Sequence, residues 1–155
     1  MLELYVDADA CPVKEEAVRV ADRHKLPVHF VSNQPVRLPV GLDVRRVVVP
    51  DSFDAADDWI ASRAGKGDIV ATADIPLAER CLKAGARVIG FNGKPFTADG
   101  IGMAAAMRLL NRDLREIARA EGGQAGGGAM FTKRDRSAFL EALENAVRLA
   151  KRDVA

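Results

Sequence analysis

The chain is poor in the residues that mark specialised classes of protein. Its 155 residues include two cysteines, two histidines, one tryptophan and one tyrosine, and 23 basic side chains against 22 acidic ones leave a net charge of +1. Two cysteines are too few for a disulfide scaffold, so Cys11 and Cys81 read as reduced thiols. The scarcity of aromatics argues against sequence-selective stacking of nucleic-acid bases. No apolar run approaches the roughly 20 residues that span a bilayer, which excludes a membrane partner of that kind. The early acids Glu3, Asp7 and Asp9 do not suit a secretory leader, and a cytoplasmic protein is expected. What remains is 48% hydrophobic and 29% charged. Folding a chain of about 150 residues removes roughly 70% of its surface from water, enough for one domain with its own core.

Apolar runs ending in acidic or small polar residues alternate with helical patterns through residue 90, the order of βα units. Strands are predicted at residues 2–6, 28–31, 44–49, 69–72 and 87–89, and their valine and isoleucine content suits strands covered on both faces. Helices are predicted from Pro12 to about Lys25, over 54–64 and over 76–84. The expected fold is a three-layer α/β domain with a central, mainly parallel sheet of about five strands over 1–99. A helical part over 100–155 completes it. There a helix over 102–120 would turn Met103, Met107, Leu110, Leu114 and Ile117 toward the sheet, and a last helix over 135–152 carries Phe139, Leu143, Val147 and Ala150 on one stripe. The glycine-rich stretch 122–128 reads as a joint between the two. Were the Met103 and Met107 strip exposed, it would serve a homodimer.

In a parallel sheet, ligands bind beyond the carboxyl ends of the strands. Those ends are acidic here. The first strand runs into Asp7-Ala8-Asp9, the fourth into Thr72-Ala73-Asp74, and the helix before the fourth begins with Asp54, Asp57 and Asp58. Singly, each acid has a local explanation: Asp9, Asp54 and Asp74 can cap helices, and acids favour the positive end of a helix dipole. Together, chain-distant carboxylates on one rim repel unless a cation lies between them, and hard oxygen ligands suit Mg²⁺ or Mn²⁺.

The pattern of an acid closing strand one (Asp7), an Asp-x-x-Ile helix (Asp57 to Ile60) and a strand ending Thr-x-Asp (Thr72 to Asp74) resembles PIN-type nucleases. Over nearly its full length the chain is also similar to the YaiI/YqxD family of bacterial proteins, which is assigned a PIN-like fold. The blocks VDADACPVKEEA (6–17), DAADDWI (54–60), GDIVATADIPLAERCL (67–82), NGKPFT (92–97) and RDRSAFLEAL (134–143) carry that similarity. The resemblance implies a divalent-metal-dependent nuclease that hydrolyses phosphodiester bonds, with RNA as the expected substrate. Asp7, Asp57 and Asp74 would then hold Mg²⁺ or Mn²⁺, with Asp9 and Asp58 as extra ligands; helix geometry alone lets either Asp57 or Asp58 reach the rim. Lys14 would contact a phosphate, and Thr72 and Ser32 would orient a water.

Three other readings fit parts of the chain. A non-catalytic nucleic-acid-binding domain would use the basic edge of Arg108, Arg112, Arg115 and Arg119, which is equally explained as the solvated border of an amphipathic helix. Asp7-x-Asp9 also resembles the first motif of haloacid-dehalogenase-type phosphatases, with Asp7 as nucleophile and Ser32 imitating a second motif. Cys11, before Pro12 at a helix start, is a candidate nucleophile on position alone, but no Cys-x5-Arg phosphate loop follows it.

Overall fold

Each valine- and isoleucine-rich run becomes a parallel strand of one sheet. The computed structural model describes residues 2–9, 11–52, 54–97 and 131–154. The strands are β1 (Leu4–Asp7), β2 (Val28–Ser32), β3 (Val44–Val48), β4 (Ile69–Ala71) and β5 (Arg87–Ile89), in the order β3-β2-β1-β4-β5. Every pairing is parallel, with Leu4 opposite Val28 on one side and Ile69 on the other. Among the described residues the helices are α1 (Lys14–His24), α2 (Ala55–Arg63), α3 (Ile75–Lys83) and α4 (Lys133–Val154).

Alternation along the strands divides the core in two. Leu4, Val6, Phe30, Ile69 and Ile89 pack with α1 and α4, whereas Tyr5, Val31, Val70 and Val88 pack with α2 and α3. The sheet therefore lies between two helical layers. Chain handedness dictates this arrangement. The sheet grows one way from β1 to β2 through α1 and the opposite way toward β4 and β5 through α2 and α3, so right-handed crossovers put the helices on opposite faces.

Phe139, Leu143, Val147 and Ala150 form the predicted stripe on α4 and are essentially inaccessible to solvent. Burying side chains such as the first three contributes about 1.5–3 kcal/mol each. Polar contacts lock α4 to α1: Glu144 meets His24 Nε2 at 2.7 Å, and the Arg136 guanidinium donates to the Pro12 carbonyl at 2.6 Å and to Glu16 at 3.3 Å. The turn after β5 sits directly on α4, where Gly93 has φ +86° and a Cβ would fall 2.5 Å from the Ala138 carbonyl.

Two expectations need correction. β3 is not covered on both faces: it is an edge strand, Arg45, Arg46 and Val48 are exposed, and the 33–43 connection to it carries no helix. Charged side chains on an edge discourage further strand pairing. Helix α1 begins at Lys14 instead of Pro12, because the chain first turns with the Cys11 N–H on the Ala8 carbonyl. The predicted helix over 102–120, with its Met103 and Met107 strip, and the glycine stretch 122–128 lie outside the described residues.

Candidate functional site

Strand order fixes where a site can form. The direction of the sheet reverses between β1 and β4, and the crevice beyond their carboxyl ends is the ligand position in sheets of this type. Asp7 closes β1 there. Thr72 follows β4 directly, with Asp74 two residues on.

Thr72 is fully buried and joins the two acids. Its hydroxyl donates to the Asp7 carboxylate at 3.1 Å and accepts the Asp74 backbone N–H at 3.0 Å. Asp74 in turn caps α3, accepting from the Leu77 N–H at 3.0 Å. The capping explanation of Asp74 is therefore correct, and the cap leaves one of its carboxylate oxygens without a contact of this kind. Asp54 occupies the cap position of α2 but makes no side-chain capping bond. Asp9 does not cap α1; both its oxygens accept from the Asn33 N–H, tying the end of β1 to the end of β2.

Helix α2 brings its first turn to the same crevice. Asp57 is pushed up to about 6, first by burial and then by repulsion from Asp74, Asp7 and Asp54, with Arg80 pulling the other way. Burial also raises Asp7, and Asp74 and Asp9 add to the rise while the Thr72 hydroxyl opposes it. Each carboxylate is thus partly stripped of water and within the field of the others. Asp58 has a different fate, because Arg80 on α3 pairs with it at 2.8 Å. The structure separates two acids that the sequence leaves interchangeable: Asp57 faces the other carboxylates, and Asp58 is neutralised at the surface.

Other predicted residues are placed as follows. Ser32 is fully buried and its hydroxyl donates to the Gln34 carbonyl at 2.6 Å, an engagement that the phosphatase-like motif does not provide for. Lys14 donates to the Cys11 carbonyl at 3.1 Å. Arg108 and Arg112 lie outside the described residues. Cys11 and Cys81 are buried, and burial raises both thiols to about 11, which removes the basis for a cysteine nucleophile. Arg80 was not legible as a site residue, since its significance depends on α2 and α3 lying side by side. Asn33 was also missed; its Oδ1 is buried without a hydrogen-bond partner among the described residues.

Among the described residues no group of three or more His, Cys, Asp and Glu side chains is gathered closely enough to hold a metal ion directly. Nor is any described helix long and apolar enough to cross a membrane.

No solved structure matches the chain. The chain matches its relatives over most of their length. A UPF0178 protein of Rhodospirillum rubrum is 58% identical over 152 residues, covering 97% of this chain and 99% of its own. A UPF0178 protein of Rhodospirillum centenum is 55% identical over 152 residues, covering 98% and 99%. Another, from Parvibaculum lavamentivorans, is 58% identical over 153 residues, covering 98% and 97%. The family model described as "Uncharacterized BCR, YaiI/YqxD family" matches residues 5–149, so the chain belongs to the YaiI/YqxD family.

Proposed function

We propose that this protein is a divalent-metal-dependent nuclease of PIN-like type that hydrolyses phosphodiester bonds in cytoplasmic RNA. The observation that carries the reading is the convergence of Asp7, Asp57 and Asp74 at the switch point of the sheet, where burial first and then the charges of Asp74 and Asp7 raise Asp57 to about 6. Arg80, a described cation that acts on Asp57, is held by Asp58. Such a set is stabilised by a bound cation.

The donors fit a hydrated hard ion. All are oxygens, and Mg²⁺ keeps several of its waters while taking only one or two carboxylates, so separated acids suit it better than a closed cage. Asp7, Asp57 and Asp74 would hold Mg²⁺ or Mn²⁺ in part through the ion's own waters, with Asp9 also reaching it through water. Such an ion supplies an acidified water and neutralises charge on a phosphate. The protein's own groups do the rest. Thr72 fixes the orientation of Asp7, the α3 cap fixes Asp74, and Asp57, raised to about 6 without the ion, would be held ionised by it.

The test is cleavage of a short single-stranded RNA in Mn²⁺ by the native protein and by Asp7→Asn and Asp74→Asn. Loss of cleavage in both variants, with unchanged circular dichroism, supports the reading. Cleavage that persists in both, or native protein that neither binds Mn²⁺ nor cleaves, overturns it.

A further inference from the structure

Beside the acidic crevice is a concave cleft of about 830 Å³ that the acids do not explain. Three elements supply its cations: Lys14 from α1, Arg37 from the connection between β2 and β3, and Arg136 from α4. Their situations differ. Arg136 is compensated by Glu16 at 3.3 Å. Lys14 is bonded only to the Cys11 carbonyl, and Arg37 is exposed and makes no hydrogen bond or ion pair with a described residue. Two positive charges therefore face this cleft without a carboxylate partner, and the one unpaired acid there is Glu15. The residues after Arg37 add an apolar lining, Leu38, Pro39 and Val40, and Val40 is 98% exposed.

Cys11 links the cleft to the acidic rim. It lines the cleft, two residues beyond Asp9, and its thiol feels the charge of both Asp7 and Lys14. Unpaired cations beside an apolar lining match the chemistry of a single nucleic-acid strand, whose phosphates seek cations and whose base faces seek apolar surface. A duplex keeps its bases paired and stacked inward, so only a single strand can offer base faces to the apolar lining.

We propose that the Lys14, Arg37 and Val40 cleft binds single-stranded RNA next to the phosphate to be cleaved. The inference rests on the nuclease reading only for the position of that phosphate; binding itself does not require cleavage. With no aromatic side chain on the wall, the cleft grips the backbone and discriminates little between bases.

Fluorescence anisotropy with a labelled oligouridine tests it, in the Asp7→Asn background and in EDTA so that no cleavage intervenes. The Lys14→Ala/Arg37→Ala double variant is expected to bind about tenfold more weakly. Its slope of log affinity against log salt should be shallower by about 1.4, the equivalent of two phosphate contacts on a single strand. Glu15→Gln is expected to bind more tightly, and a duplex of the same length more weakly, than the parent does the single strand. Arg37→Glu, at an exposed position, repeats the test without risk to the core. Unchanged affinity and salt slope in the double variant, or equal affinity for duplex, overturns the cleft. Native protein that binds RNA through the cleft but never cleaves it overturns the hydrolysis reading alone.

Discussion

The hydroxyl of fully buried Thr72 donates to the Asp7 carboxylate at 3.1 Å across the β1 and β4 strand ends, while its oxygen accepts the Asp74 N–H. The bond lowers the cost of keeping Asp7 ionised in a setting where burial and Asp74 both oppose ionisation. Thr72→Val preserves volume and removes both the donor and the acceptor. A hydrogen bond to a charged group contributes about 1.5–3 kcal/mol, and loss of that order is expected in denaturant unfolding. Mn²⁺ affinity should fall about 10–100-fold, as when the partner that orients a ligand is removed. Thr72→Ser should retain most of both. A Thr72→Val protein with native metal affinity would separate Thr72 from the site.

Asp57 makes the stability of the fold depend on pH. Its folded value of about 6 lies above the ordinary carboxylate value of about 3.9 expected when unfolded. A group raised in this sense contributes stability that is complete below the unfolded value and lost as pH climbs through the folded one. The melting temperature in EDTA should therefore fall between about pH 4 and pH 7, and Asp57→Asn should flatten that fall and stabilise the protein at the upper end. Mn²⁺ should act oppositely, restoring stability at the upper end because it binds the ionised carboxylates. An identical melting profile in native protein and Asp57→Asn counts against the strained-acid account.

Much of this was legible in the sequence because the governing patterns are local. The valine- and isoleucine-rich apolar runs marked the strands, the stripe from Phe139 to Ala150 marked α4, and Asp74 at a strand-to-helix junction marked a cap. β3 misled because its valines resemble those of a covered strand; exposure depends on which neighbours the chain supplies, and the segment before β3 has no helix to lay across it. Asp9 looked equally like a cap, but its partner Asn33 is 24 positions away and belongs to the neighbouring strand. The distinction between Asp57 and Asp58 likewise depends on Arg80, a residue on another helix.

That distinction is directly testable. Arg80 and Asp58 pair at 2.8 Å with both side chains about half exposed, so the pair contributes no more than about 1 kcal/mol to stability. Asp58→Asn should leave Mn²⁺ affinity within about threefold of native, whereas Asp57→Asn should lower it at least about tenfold. Calorimetric titration of the two variants decides the matter. Equal losses would mean that Arg80 does not hold Asp58 away from the ion.

The seating of α4 on the sheet depends on Gly93. At φ +86° an alanine there is strained by about 1–3 kcal/mol before any contact is considered. Its Cβ would then stand 2.5 Å from the carbonyl carbon and oxygen of Ala138 and 2.8 Å from the Phe139 nitrogen, all helix backbone that cannot turn aside as a flexible side chain does. Gly85 provides the control: its φ is +94°, but an added Cβ would meet Lys66 only at 3.5 Å and beyond, an ordinary contact. Both Gly85→Ala and Gly93→Ala should therefore lose the strain energy, and Gly93→Ala should lose more because α4 must lift. Since Arg136 is carried on α4 and bonded to Pro12 and Glu16, lifting the helix also opens one wall of the Lys14 and Arg37 cleft. Melting temperatures, together with protease sensitivity within 133–154, distinguish the cases. Equal melting losses with α4 equally protected in both variants would show that Gly93 supplies backbone freedom and nothing to the docking of the helix.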